Sequence, residues 1–185
     1  MSRVPASVLA GDARDPARRD PPMGPDEAAA AAVLHALAFA GPDAIRPWTA
    51  ADFAGFCDSP GAFRILAPEK GRLDALMLGR VIGPEAELVT LATRPLSRRR
   101  GFARALLARF ALRAAALGAE TAFLEVAEPN EGARALYAAA GWAEVGFRRN
   151  CYRLSGGGRA NAVVMSCDLG AVPAENAGDR QTDWV

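Results

Sequence analysis

Apolar positions change their period several times along the chain. Val33, Leu34, Leu37 and Ala38 recur at helical spacing and predict an amphipathic helix. Gly24-Pro25-Asp26-Glu27 starts it, with proline early and acids in the first turn, and Gly41-Pro42 stops it. A second, short helix follows Thr49-x-x-Asp52, a capping-box-like start with aspartate in the usual place of glutamate. Phe53, Phe56 and Cys57 share its face, and Ser59-Pro60-Gly61 breaks it. The pattern then becomes strand-like. Residues 62–67 and 73–81 read as strands joined by the turn at 68–72, and Gly83-Pro84 leads into a third at 88–93, so these three are expected to be antiparallel. Pro95 ends the third because it has no N–H for the ladder.

Helical spacing returns near Arg99. Phe102, Leu106, Leu107, Phe110, Ala114 and Leu117 make one apolar stripe, Arg100, Arg104, Arg109 and Arg113 lie off it, and Gly118 closes the helix. Residues 121–126 form the next strand, which after a strand–helix connection is expected parallel to 88–93. A helix beginning near Asn130 carries Ala133, Leu136, Tyr137 and Ala140 on one face. Gly141 fits the left-handed position after it and would fold Trp142 back onto Leu136 or Tyr137. Residues 143–152 and 162–169 read as two last strands, with a glycine-rich link between them. The alternation predicts an α/β domain over residues 25–169.

Composition narrows the picture. Residues 1–24 are rich in Pro, Arg, Asp, Ala and Gly without a period and read as a disordered extension; Met23 directly precedes the first helix, so the first 22 residues are expected to be dispensable. Residues 170–185 read as a flexible polar tail. A formal net charge of +1 gives no overall field toward nucleic acid or membrane. There is no apolar run of the roughly 18 residues a membrane span needs, and the start of the chain lacks a signal peptide's apolar core. Cys57, Cys151 and Cys167 show no metal-ligand spacing, which leaves no metal site and a reduced, cytoplasmic setting as the expectation. His35, the only histidine, has no partner in sequence and reads as a surface or packing residue.

Two stretches carry candidate chemistry. Arg98-x-x-Gly101-x-Ala103 sets three arginines, a glycine and an alanine at a helix start, where unpaired N–H groups and the dipole favour an anion. Taken alone, the segment reads equally well as a solvated basic helix start. Two parallel strands, each followed by a helix, leave a cleft at their C-terminal ends if they splay apart. Glu125 interrupts the apolar strand of Phe123, Leu124 and Val126 at that end. Its plainer reading is a surface strand residue, as core is the plainer reading of Tyr137.

Together these stretches resemble the GNAT N-acetyltransferase superfamily. The 98–104 segment is similar to its acetyl-CoA pyrophosphate loop. Leu124-Glu125-Val126-Ala127-Glu128-Pro129-Asn130, with Ala133, Leu136, Tyr137, Gly141 and Trp142, is similar to its second half. Within the superfamily the pattern most resembles the ribosomal-protein-alanine N-acetyltransferases, over about residues 27–168. The resemblance implies a GNAT fold: a mixed central sheet of about six to seven strands, helices on both faces and a splayed parallel strand pair. The usual first strand is missing or very short.

For the cosubstrate acetyl-CoA, the resemblance implies Leu91, Ala92 and Thr93 along the pantetheine arm, and Arg98, Arg99, Arg100, Gly101, Phe102, Ala103 and Arg104 at the pyrophosphate. Asn130 and Ala133 complete that set. Glu125 matches the proton acceptor and Tyr137 the proton donor. Trp48, Glu128 and Tyr152 are the candidate substrate-binding residues, with core packing an equal reading of Trp48. The implied reaction is direct acetyl transfer to a protein N-terminus, an alanine of a ribosomal protein, in a ternary complex. Ala127, where the family often has arginine, and Cys151, in place of an aromatic, keep a lysine or small-molecule amine open as acceptor. A non-catalytic acetyl-CoA-binding module is the other alternative, and the presence of both Glu125 and Tyr137 argues against it.

Overall fold

A computed structural model describes residues 20–41, 46–69, 71–153 and 158–170. Expectations for residues 1–19, Pro42, most of the glycine-rich link and the tail from 171 lie outside these residues. The elements in order are α1 (Pro25–Ala38), α2 (Ala50–Cys57), β1 (Ala62–Glu69), β2 (Arg72–Ile82), β3 (Glu85–Thr93), a 3₁₀ turn (Pro95–Ser97), α3 (Phe102–Ala116), β4 (Thr121–Ala127), α4 (Glu131–Ala139), β5 (Ala143–Arg153) and β6 (Arg159–Asp168). The capping box of α2 forms: Thr49 Oγ1 accepts the Asp52 N–H at 3.2 Å and the Asp52 carboxylate accepts the Thr49 N–H at 2.8 Å.

The six described strands form one sheet in the order β1-β2-β3-β4-β6-β5. Every neighbouring pair is antiparallel except β3 and β4, which are parallel. That parallel pairing runs only from Glu85↔Thr121 to Leu88↔Leu124. β3 continues to Thr93 on β2, and β4 continues to Ala127 on β6, so the two strands part beyond Leu88 and Leu124. A bulge sits where they diverge: Leu78 pairs with Thr90 and Gly79 with Leu88, leaving Val89 as the extra residue of β3. Bulges bend a strand and increase its twist. Glycine is required at 79, because a Cβ there would lie 2.5 Å from the Phe63 ring and 2.7 Å from the Phe110 ring.

Apolar residues fill both faces of the sheet. Phe63, Met77, Leu88, Phe110, Leu124 and Trp142 belong to the core under α3 and α4. Leu34, Phe53, Leu76 and Leu78 belong to the core under α1 and α2. Burying each side chain of this size contributes about 1.5–3 kcal/mol. No described helix is long and apolar enough to cross a membrane.

Within residues 20–24, Asp20 and Met23 pack on the domain. Met23 is buried in the core under α1 and α2. One Asp20 oxygen accepts from Arg113 Nη2 at 2.8 Å, and the other accepts the Arg64 N–H at 2.7 Å. Arg64 also donates to the Pro21 carbonyl at 2.8 Å and grips Glu27 at 2.9 and 3.2 Å. Arg113, which the helical stripe leaves outside, is buried with its guanidinium 5.9 Å from the Phe63 ring centre.

Candidate active site

The exit of β3 builds the candidate anion site. The Arg94 N–H donates to the Asp74 carbonyl at 2.8 Å, and the Pro95–Ser97 turn delivers the chain to residues 98–101. Arg99 and Gly101 are both left-handed, with φ of 62° and 83°. Glycine adopts this conformation without the Cβ clash other residues meet. Helix α3 has no side-chain cap, and the Ala105 N–H bonds to the Gly101 carbonyl at 3.0 Å. The N–H groups of Phe102, Ala103 and Arg104 lie ahead of that first intrahelical bond, where helix geometry offers them no acceptor. Arg99, Arg100 and Arg104 are exposed around them, with the Arg100 guanidinium 5.3 Å from the Phe102 ring centre. Arg98 differs from its neighbours, since its Nη2 donates to the Ala38 carbonyl at 2.7 Å and ties the loop to α1.

Leu91, Ala92 and Thr93 continue β3 beyond its last pair with β4, along the parted edge. Across the gap, Glu125 immediately follows Leu124, the last paired residue of β4. Its side chain is exposed and accepts from Arg148 Nη1 at 2.5 Å. Its carbonyl accepts from the Tyr152 hydroxyl at 3.2 Å.

Both partners come from a distortion in β5. The register moves from Arg148↔Ala162 to Tyr152↔Ala160, so the β5 segment is two residues longer than the β6 segment it faces. Asn150 within it is left-handed, with φ of 53°. Its N–H donates to Asn161 Oδ1 at 3.0 Å, and its carbonyl accepts from Arg159 Nη1 at 2.6 Å. Asn161 Nδ2 in turn donates to Glu128 Oε2 at 2.7 Å. The bulge thereby brings Arg148 and Tyr152 to Glu125, and Asn161 links it to Glu128. Burial, together with the Glu125 charge, pushes the Tyr152 phenol up to about 12.

Tyr137 is buried on α4 with its ring centre 6.2 Å from that of Trp142. Gly141, at φ 90°, turns the chain so that Trp142 folds back as expected. Burial, with the neighbouring Tyr152 adding to it, raises the Tyr137 phenol well above its ordinary range, so this group stays protonated and can donate. Asn130 caps α4 by accepting the Ala133 N–H at 3.2 Å. Ala133 packs against the main core.

Trp48 makes packing contacts with its aromatic neighbours. Its ring lies 5.2 Å from Phe53 and 5.8 Å from Phe56, and its backbone N–H donates to His35 Nδ1 at 3.3 Å. It is half-buried and packs against the core under α1 and α2, in keeping with the packing reading of this residue. His35 is buried there, and burial lowers it to about 4, so it is a neutral packing residue.

Sequence reasoning missed Arg148, Asn150 and Asn161. The two asparagines were the available signal, because asparagine is depleted in strand interiors. It also missed a groove of about 290 Å³ beside Glu125, lined by Arg80, Ile82, Glu85, Glu87 and Phe123 among others.

A mixed sheet that parts at a parallel pair, with a basic, uncapped helix start beyond one of the two strands, is the architecture of an acetyl-CoA-dependent N-acetyltransferase. Residues 32–142 match the Acetyltransferase (GNAT) family, and the chain belongs to that family. It is an acyltransferase with the GNAT fold, and GNAT acetyltransferases use acetyl-CoA. It is 37% identical over 101 residues to the [Ribosomal protein bS18]-alanine N-acetyltransferase of Haemophilus influenzae, covering 55% of this chain and 68% of that one. It is 37% identical over 143 residues to the N-alpha-acetyltransferase RimI of Mycobacterium tuberculosis, covering 75% of this chain and 85% of that one. The crystal structure of the ribosomal-protein-S18-alanine N-acetyltransferase from Escherichia coli aligns with a TM-score of 0.69 at 29% identity, over 78% of this chain and 88% of that one.

Proposed function

We propose that this chain transfers an acetyl group from acetyl-CoA to the α-amine of a protein, an N-terminal alanine of a ribosomal protein, in the cytoplasm. The observation that carries the reading is the position of Glu125, an exposed carboxylate one residue beyond the last β3–β4 pair. The relatives' names support the acceptor class.

The residues fit the cosubstrate. The uncapped start of α3 offers N–H groups and the positive end of the helix dipole, and three exposed arginines surround it. The parted edge at Leu91–Thr93 suits main-chain pairing with an extended amide chain. Asn130 and Ala133 would line the opposite wall. Bound there, acetyl-CoA supplies an acetyl group activated as a thioester.

The chain's own groups then handle protons and charge. An α-amine has a pKa of about 7.7–8.0, so near neutral pH most of it is protonated and cannot attack. Glu125 takes that proton, directly or through a water, and Arg148 and Tyr152 hold the strand segment that presents it. The N–H of Thr93, which faces away from β2, donates to the acetyl oxygen as negative charge develops there. Tyr137, which burial keeps protonated, donates toward the departing sulfur. Glu128 and Tyr152 flank the acceptor.

Steady-state assays on peptides with a free N-terminal alanine test the reading, with mass spectrometry locating the acetyl group. Glu125→Gln and Tyr137→Phe are each expected to lower kcat by about 10²–10⁴-fold with acetyl-CoA binding retained. Parent-like turnover in both variants would overturn the assigned roles. Acetylation confined to lysine or small amines would overturn the ribosomal-protein reading while leaving the transferase.

A further inference from the structure

Asp74 is the most deeply buried carboxylate among the described residues, with no exposed surface, yet its side chain has no part in the site described above. Its burial begins with a defect in the sheet. β1 and β2 pair at Ala67↔Ala75 and next at Pro68↔Leu73, so Asp74 is the extra residue of a bulge. Pro68 lacks the N–H that would continue the ladder, and a bulge re-aims the side chain it carries. Here that side chain points at the chain leaving β3.

Three groups meet the carboxylate. The Ser97 hydroxyl, itself fully buried, donates to Oδ1. Arg72 Nε donates at 3.2 Å to Oδ2, and Arg94 Nε lies 3.9 Å from Oδ1. Burial pushes the Asp74 carboxyl up, but the Ser97 hydroxyl and the Arg72 guanidinium outweigh it and hold the group below the usual carboxylate range. The backbone makes a second attachment, from the Arg94 N–H to the Asp74 carbonyl at 2.8 Å. Arg94 Nη2 also donates to the Leu73 carbonyl at 3.0 Å. Both ends of the Arg94–Ser97 turn are thus fastened to one residue of β2. That turn separates the parted edge at Leu91–Thr93 from the N–H groups at the start of α3.

We propose that Asp74 is a positioning residue for acetyl-CoA: through Ser97 it sets the distance and angle between the β3 edge and the anion-binding start of α3. The inference rests on the acetyl-CoA reading. An extended ligand that pairs with the strand and also reaches the helix start needs those two sites at a fixed separation. Loosening the turn leaves each site intact and mismatches them. The loss then falls on cosubstrate binding, because the Asp74 carboxylate bonds to Ser97 and Arg72 and lies beside Arg94, all outside the proposed proton-transfer groups.

Calorimetric titration with coenzyme A, thermal melting and steady-state kinetics on Ser97→Ala, Asp74→Asn and Arg72→Ala test this. Ser97→Ala and Asp74→Asn are expected to raise the Kd for coenzyme A and the KM for acetyl-CoA at least tenfold. Their kcat at saturating acetyl-CoA and their KM for the acceptor peptide should stay within threefold of the parent. Arg72 is the control, since it is half-exposed and bonds the same carboxylate without touching the turn. Arg72→Ala should lower the melting temperature and leave the Kd within threefold. Parent-like binding by Ser97→Ala, which decides the matter if Asp74→Asn does not fold, would overturn the proposal. So would weakening that tracks the fall in melting temperature across all three variants. A parent that fails to bind coenzyme A would overturn the cosubstrate reading itself, and this inference with it.

Discussion

Asp20→Ala in the full chain should lower the melting temperature by roughly 8–16 °C, although residue 20 falls inside the stretch whose composition reads as disordered. The side chains of Asp20 and Arg113 are only 10% and 7% exposed. Removing one member of a buried ion pair costs about 3–5 kcal/mol, because the remaining charge stays desolvated. Arg113 keeps its position over Phe63, so the lower end applies. Asp20 also accepts the Arg64 N–H at 2.7 Å, and an N–H left without its acceptor costs about 1–3 kcal/mol, again taken at the low end where water can reach it. The two together come to about 4 kcal/mol. A chain of this size loses about 2–4 °C per kcal/mol, which gives the stated range and leaves a folded protein at 25 °C. Starting the chain at Met23 should cost at least as much. Scanning calorimetry reads the effect, with coenzyme A binding at 25 °C as the check on the fold. The variant Asp20→Ala with Arg113→Met should recover part of the loss, since an apolar replacement of both members removes the buried charge. A melting temperature within 2 °C of the parent for Asp20→Ala would refute the reasoning, because the pair would then be contributing no more than its desolvation costs.

Two further outcomes follow from the same physical terms. Burial holds His35 at about 4 against an ordinary value of 6.5, so the unfolded chain takes up the proton first. The contribution of neutral His35 is whole above about pH 6.5 and shrinks as the pH falls toward 4, by on the order of 2 kcal/mol at pH 4.5. Urea unfolding of the parent and of His35→Gln at pH 7 and pH 4.5 checks this, and equal pH dependence in the two would exclude His35 as the cause. Gly101→Asp should raise the Kd for coenzyme A at least tenfold, since it forces a non-glycine residue to φ 83° and sets a negative charge at the helix start; an unchanged Kd with an intact fold would remove the anion site.

What was legible in the sequence is what is local. Periodicity places the helices and strands, proline and glycine place their ends, and Thr49 with Asp52 announces its own cap. Glu125 stood out as a candidate because it interrupts an otherwise apolar strand, whereas Tyr137, which reads as core by itself, was singled out only by the family resemblance. The ties that hold the fold and the site together join residues far apart in the chain: Asp20 to Arg113, Asp74 to Ser97, Glu125 to Arg148. Spacing carries no information about such pairs, since neither member alone points to the other. Three of the four irregularities of the sheet follow the same logic. A bulge is a relation between two strands, and it appears only when both registers are known. Val89 lies at the point where β3 leaves β4, Asp74 turns toward the exit of β3, and Asn150 lies in the distortion that brings Arg148 and Tyr152 to Glu125. Each had a faint local trace: Gly79 opposite the first, Pro68 opposite the second, and an asparagine in the third and another, Asn161, opposite it. Residues that break a strand's own preferences are therefore the places to look for the site's geometry. In this chain the ordinary strand positions build the sheet, and the misfits aim it.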